Sequence, residues 1–226
     1  MSKREKKAAA TREAILNAAM RVVGKHGYGK ASIARIADEA GVAHGLIYTY
    51  FKNQQDLFNQ LLPHVGEAML RYIAEQIADS QSLAERERRG LDANFDYLAR
   101  HPAIHRILNE AAFFAPPVHQ AYLRRMASGY TRSLKRGHEA GELKGFDADE
   151  LEVLAYMMIG AREFLLERYA SRDGTIEDLP EPVKRTYLKA FCRCFGLEDA
   201  SFDKNSNDDK TRDVADRRDA QENHHS

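Results

Sequence analysis

An all-α fold is predicted for this chain, and three observations predict it. Apolar residues recur at helical spacing through most of the sequence before Leu197. No segment shows a convincing strand pattern. The interruptions fall at Gly, at Pro and at capping Ser or Asn, where helices stop and start. The chain divides into an N-terminal arm and helix-turn-helix unit (1–53), a helical C-terminal unit (54–197) and a polar tail (198–226).

The first helix, Thr11 to His26, places Ile15, Leu16, Ala19, Val22 and Val23 on one face, and Gly27 stops it. A short helix follows from about Ile33 to Ala40, with Ile33, Ile36, Ala37 and Ala40 spaced i, i+3, i+4, i+7 and Ser32 as its N-cap. Gly41 ends it, and a third short helix begins near Ala43. A longer helix opens at Asn53 or Gln54 and runs to about Ala78 through Leu57, Leu61, Val65, Met69 and Ile73; Pro63 inside it predicts a kink or break. Ser82 opens a helix to about Arg100, His101-Pro102 separates it from one ending near Ala115, and Pro116-Pro117 precedes one running to about Ala140. After a loop at Gly141, Gly145 and Asp147, the most apolar helix extends from Asp147 to about Ala170, carrying Leu151, Leu154, Ala155, Met158, Ile159, Leu165 and Leu166. Ser171 to Pro182 reads as a polar loop. The last helix, Val183 to Phe195, sets Val183, Tyr187, Ala190, Phe191 and Cys194 on one stripe. Beyond Glu198 apolar residues are few, which predicts a disordered tail.

The 226 residues, 43% hydrophobic and 30% charged, suffice for a buried core and are ordinary for a soluble globular protein. No apolar run approaches the ~18–20 residues of a membrane helix. No hydrophobic signal core follows Lys3, Arg4, Lys6 and Lys7. Cys192 and Cys194 make no disulfide framework, so a cytoplasmic protein is expected. The net charge of zero hides a segregation: 1–52 carries ten basic and four acidic side chains, a net +6, whereas 198–226 carries a net −4. A basic quarter on an otherwise acidic chain suits a polyanion partner, or is simply a solvated terminus.

Ala31 to Phe51 is a short amphipathic helix, a turn at Gly41 and a second short helix, the pattern of a helix-turn-helix whose second helix enters the DNA major groove. Small Ala37 and Ala40 permit the helices to cross, and Gly41 permits the sharp turn. The run Ile33-x-x-Ile36-Ala37-x-x-Ala40-Gly41-Val42-x-x-Gly45-x-Ile47-Tyr48-x-Tyr50-Phe51-Lys52, then Asp56-Leu57-Phe58, resembles the tetracycline-repressor (TetR) family of bacterial transcription regulators. Gly27-Tyr28 and the helix from Thr11 match as well, so the resemblance covers roughly Thr11 to Leu62; the remainder is similar only in length, helical character and helix order.

The resemblance implies a homodimer with an N-terminal DNA-binding domain and a C-terminal domain that binds an inducer and dimerises. Three positions depart from the family pattern and bear on operator affinity and sequence rather than on fold: Ala43 where Ser or Thr is usual, His44 where Lys or another polar residue is common, and Gln54 where a basic residue is common. On this pattern Ser32 is expected to donate to a phosphate. His44, Gly45, Leu46 and Thr49 face the groove floor, with Leu46 or Thr49 able to meet a thymine methyl. Tyr48 and Lys52 bind phosphates. Ile33, Ile36, Ile47 and Phe51 belong to the core, and Tyr50 is expected to pack between helices, with DNA contact as its alternative. The basic residues at 3–7 form an arm along the DNA or a solvated tail.

In the C-terminal unit Asn94, Phe95, Leu98, Asn109, Phe113, Tyr122, Met126, Tyr130, Met157 and Arg162 are the candidate pocket for a small hydrophobic ligand with one or two polar ends. A strongly anionic ligand is not expected, because only Arg162 sits inside an otherwise apolar helix. Leu151, Met158, Leu165, Val183, Tyr187 and Phe191 are the candidate dimer interface, pairing with their copies as a four-helix bundle.

No catalytic constellation, metal site or cofactor is predicted. His101 and His105 are i, i+4 but bracket a helix start at Pro102 and lack an acidic or thiol partner, and Cys192-x-Cys194 points its thiols to different faces. The sequence therefore predicts a non-enzymatic, homodimeric repressor of a double-stranded operator, released by a hydrophobic inducer. The alternative is a helical carrier or enzyme with an incidental helix-turn-helix.

Overall fold

The computed structural model describes residues 2–172 and 174–197. The expected tail at 198–226 lies outside them. The order is α1 (Lys3–His26), a 3-10 turn (Tyr28–Lys30), α2 (Ile33–Ala40), α3 (His44–Tyr50), α4 (Gln54–Gln76), α5 (Leu83–Arg100), α6 (Pro102–Phe114), α7 (Pro116–Glu139), α8 (Leu151–Leu165), a π turn (Leu166–Ala170), β1 (Ser171–Arg172), β2 (Thr175–Ile176) and α9 (Glu181–Cys194). An all-helical fold is correct apart from one two-residue antiparallel pair, Ser171 opposite Ile176, inside the segment read as a loop.

Several boundaries move, each for a local reason. α1 begins at Lys3, well before Thr11, because Ser2 and Glu5 form a capping box: the Glu5 N–H donates to Ser2 Oγ at 3.2 Å and the Ser2 N–H to Glu5 Oε2 at 2.7 Å. Lys3, Arg4, Lys6 and Lys7 are thus exposed positions on helix turns, neither an extended arm nor a coil tail. α4 runs unbroken through Pro63, which sits on an exposed face where water can reach the carbonyl that the missing N–H leaves unbonded. α8 is shorter than expected at both ends, starting at Leu151 and giving way to the π turn at Leu166. Ser32, Asn53 and Ser82 all cap as the sequence indicates, accepting from the backbone N–H of Arg35, Asp56 and Glu85.

α1 packs on α2, α4 and α6, and α3 packs on α2, so the N-terminal helices share their core with the start of the C-terminal unit. That core runs from Ile15 and Val23 through Ile36, Ile47 and Phe51 to Leu57, Leu61, Phe95 and Ile107, and on to Leu166 and Leu188. A second cluster, with Leu83, Leu134, Leu151 and Phe191, closes the far end of the C-terminal unit. Two approaches are close enough to require glycine. A Cβ on Gly24 of α1 would lie 2.3 Å from Ala103 Cβ of α6, and one on Gly66 of α4 would lie 2.2 Å from the Tyr122 ring of α7. Gly41 ends α2 in the left-handed region (φ 66°), where a side chain would be strained.

Candidate nucleic-acid interface and ligand cavity

α3 is held from one side only. Ile47 is fully buried and Phe51 just beyond the helix nearly so, while His44, Gly45, Leu46, Tyr48 and Thr49 all face outward. At 52% exposed, Tyr48 has its phenol free for a partner outside the chain, and its ring sits edge-on to His44 at 5.7 Å. A Cβ on Gly45 would meet nothing within 4 Å, so the helix surface is bare there. Lys52 is exposed, and its backbone N–H donates to Asp56 Oδ2 at 2.8 Å, which fixes the turn out of α3. That bond, joined by one from Gln60, holds the Asp56 carboxyl below its ordinary range. Ser32 is exposed, and its oxygen accepts the capping bond from Arg35 at 3.3 Å while its O–H remains able to donate elsewhere. Ala43 makes no side-chain cap, as its methyl requires. Gln54, the third departure, is used within the fold: its Nε2 donates to the Ala31 carbonyl at 3.0 Å and ties the start of α4 to the entry of α2. Ile33 and Ile36 are buried, and Tyr50 is half-buried against the core.

A cavity of about 900 Å³ lies among α4, α5, α7 and α8. Of the ten residues expected to line it, Asn94, Leu98, Met126, Tyr130 and Arg162 do so. The other five do not. Phe95 and Tyr122 are in the solid core, and Asn109 is spent on a 3.1 Å contact with His105. Phe113 and Met157 point outward, at 85% and 58% exposed. A stripe of aromatics and methionines at helical spacing does not say which side of its helix faces a void. The apolar floor that the sequence did not single out is α4, with Met69, Leu70, Ile73 and Ala74, and Ile77 just beyond its end.

Arg162 reaches the cavity but is already engaged. Its Nη2 lies 2.7 Å from Glu87 Oε1, its Nε donates to Tyr187 Oη at 3.3 Å, and its guanidinium lies over the Tyr130 ring. The Tyr187 hydroxyl donates to Glu87 Oε1 at 2.6 Å and the Tyr130 hydroxyl to Glu87 Oε2. Burial pulls the Arg162 guanidinium toward the neutral form, but the Glu87 carboxylate outweighs it and holds the group firmly protonated. Burial, reinforced by the carboxylate, pushes the Tyr130 phenol well up. Glu87 is 4% exposed; in the sequence it sits in the charged run Glu85 to Arg89, which reads as a solvated face.

The expected dimer residues also move. Leu151, Tyr187 and Phe191 are buried inside the chain itself, and Met158, Leu165 and Val183 are half-buried against the same cores. The most continuous apolar stripe is the one that the chain consumes in folding. The exposed apolar face of α8 is instead Val153, Met157 and Phe164, at 61%, 58% and 78%. His101 and His105, weighed as a metal pair, part company. His101 packs on Tyr97 at 4.6 Å, while His105 Nε2 lies 3.4 Å from Glu163 and 3.7 Å from Glu167.

α6 connects the two regions. It contributes Leu108 to the cavity wall. Toward α1, Arg106 Nη1 donates to the Gly24 and Lys25 carbonyls at 3.0 and 3.1 Å, and Glu110 accepts the Tyr28 N–H at 2.7 Å. Gly27, at φ 77°, leaves the space that the Glu110 carboxylate needs, and Gln55 of α4 donates to the Phe114 carbonyl at 2.8 Å.

Residues 15–61 match the family described as bacterial regulatory proteins, tetR family. The N-terminal segment is similar to the TetR family. The chain is 32% identical over 85 residues to the fatty acid metabolism regulator protein of Bacillus subtilis, covering 38% of this chain and 44% of the relative. It is 35% identical over 85 residues to the regulator AcrR of Shigella flexneri, covering 36% and 40%. The chain thus spans less than half the length of these curated relatives. A solved structure of the regulator FadR from Bacillus subtilis in complex with stearoyl-CoA superposes with a TM-score of 0.62 at 22% identity, covering 78% of this chain and 95% of that one. That likeness establishes the fold: a TetR-type helix-turn-helix domain followed by a larger helical domain. The TetR-matched segment contains every residue of α2 and α3, and the cavity lies wholly outside it.

Proposed function

We propose that this chain is a homodimeric transcriptional repressor, acting in the cytoplasm, which holds a palindromic duplex operator through α3 and lets go when a hydrophobic ligand fills the cavity. The observation that carries the reading is α3 itself, anchored by Ile47 and by the half-buried Tyr50, with His44, Gly45, Leu46, Tyr48 and Thr49 exposed. Such a helix in two copies, spaced ~34–36 Å apart, matches successive major grooves. The route for release runs through α6, which touches both the cavity and the end of α1. A ligand acts on that joint only if it binds one setting of α6 better than the other. The similarity to a fatty acid metabolism regulator and to FadR in complex with stearoyl-CoA supports an acyl-type ligand here.

The direct test is duplex binding followed by fluorescence anisotropy over a range of salt. Lys52→Ala should weaken binding to all sequences alike and flatten the slope of log K against log[salt] by about one unit. Thr49→Ala or His44→Ala should instead change which sequences are preferred. A carrier or enzyme would show no steep salt slope, and altered base preference in Lys52→Ala would reverse the assigned roles.

The second copy is proposed to cover Val153, Met157 and Phe164, since apolar side chains this exposed and this regularly spaced suit a helix-on-helix interface. Met157→Glu should give a folded monomer in analytical ultracentrifugation at micromolar concentration, with much weaker operator binding. A dimer of wild-type stability in that variant would place the interface elsewhere.

A further inference from the structure

The cavity is not neutral. Its lining holds seven basic and three acidic side chains in a chain whose overall charge is zero. Four of the basic residues have an ion pair: Arg162 with Glu87, Arg125 with Glu67 at 3.1 Å, Lys135 with Glu139 at 3.9 Å, and Arg86, at longer range than a hydrogen bond, with Glu142. Arg71, Arg132 and Arg136 have no ion pair with any described residue, and all three are exposed where α4 and α7 border the cavity opening.

Deeper in lies Arg86 of α5, only 8% exposed. Its Nε and Nη2 are buried, and no described residue accepts a hydrogen bond from either. The nearest carboxylate, Glu142, stands 3.6 Å from Nη2, beyond hydrogen-bonding distance, and its other oxygen is occupied by the Leu83 N–H at 2.5 Å. Burial pulls the Arg86 guanidinium below its ordinary value; Glu142 counters this only in part, and Arg136 adds to the depression. A buried cation with unused donors is costly unless something anionic meets it. Apart from the exposed Arg71, α4 offers the cavity only aliphatic side chains and Met69.

We infer that the cavity takes an amphipathic anion, with its apolar chain against α4 and its carboxylate or phosphate against Arg86 and Arg136. This rests on the ligand-responsive reading above and narrows its ligand class. It also reverses the expectation that a strongly anionic ligand is excluded. The cations come from the polar faces of α5 and α7, which converge on the cavity only in the folded chain. Arg162, the one basic residue conspicuous in the sequence, holds Glu87 in place. Arg86 meets the ligand.

The test uses the full chain and three probes with the same alkyl length: hexadecanoate, palmitoyl-CoA and hexadecan-1-ol, titrated calorimetrically below their micelle concentrations. At least one anionic probe should bind about tenfold to a hundredfold more tightly than the alcohol. Arg86→Gln should erase that preference while leaving alcohol affinity and the melting temperature near wild type. Arg86→Lys should restore part of it, which a merely structural role for the side chain would not do. A carboxylate source predicts that Arg86→Gln weakens hexadecanoate. A phosphate source predicts that Arg86→Gln and Arg136→Gln weaken palmitoyl-CoA and leave hexadecanoate unchanged. Equal affinity for acid and alcohol in the wild type, no binding of any probe, or an Arg86→Gln variant that keeps its anion preference would overturn the assignment. Operator anisotropy on the same wild-type sample separates the two readings: absent DNA binding with intact anion preference defeats the repressor and leaves the cavity assignment standing.

Discussion

Glu87→Ala should lose about 3–5 kcal/mol of unfolding free energy in urea titration, because it strands a buried guanidinium. Glu87 accepts from Arg162, Tyr130 and Tyr187 at once, and nothing else near Arg162 carries a negative charge at hydrogen-bond distance among the described residues. Arginine cannot escape by releasing its proton. Arg162→Ala should cost less, since the abandoned carboxylate keeps both tyrosine donors and can take up a proton. The paired replacement Glu87→Leu with Arg162→Met should recover much of the loss, as buried ion pairs often do when both charges are removed. If Arg162→Ala proved the more damaging of the two, or the double variant were no better than Glu87→Ala, the charge would not be the quantity at stake there.

Gly24→Ala comes next, at about 1–3 kcal/mol and with a functional signature of its own. The added methyl would fall 2.3 Å from Ala103 Cβ and 3.0 Å from its Cα, so α1 and α6 must separate at the point where Arg106 grips the end of α1. Ala103→Gly in the same chain should return most of the stability, because the nearer of those atoms is gone. Thermal melting of the single and double variants measures this, and operator affinity measured alongside shows whether the joint also sets the position of α3. A Gly24→Ala protein melting with the wild type would mean that the helices do not approach so closely in solution.

What the sequence showed depended on which neighbours a residue answers to. Caps and breaks are local events. Ser32, Gly41, Asn53, Ser82 and Pro116 could therefore be read directly, and the short helices around Gly41 were placed to within a residue or two. The missed capping box at Ser2 and Glu5 was equally local, hidden by the lysines around it, whose charge suggested a solvated arm. The cavity was harder because a void is made by several helices and belongs to none. Leu98 and Phe95 look alike along α5, yet one lines the cavity and the other is sealed in the core. Arg86 and Glu87 are adjacent in a charged run and face different partners, a distinction that exists only once α7, α8 and α9 are packed against α5. The stripe expected to meet a second copy was hard to place for the opposite reason: Tyr187 and Phe191 of α9 are buried within the chain, and a partner can meet only what folding leaves over.

The main hydrophobic cluster crosses from α1, α2 and α3 into the C-terminal helices without a seam, and this has a thermodynamic consequence. Segments that share one core melt in one cooperative step. A molecule that occupies the cavity of the folded chain then raises the unfolding free energy of α1, α2 and α3 by the same RT ln(1 + [L]/Kd) as that of the cavity walls. On the function proposed above, the occupied chain would be at once the form with the weaker hold on DNA and the form most resistant to proteolysis. Release from the operator would prolong the life of the protein rather than expose it to removal.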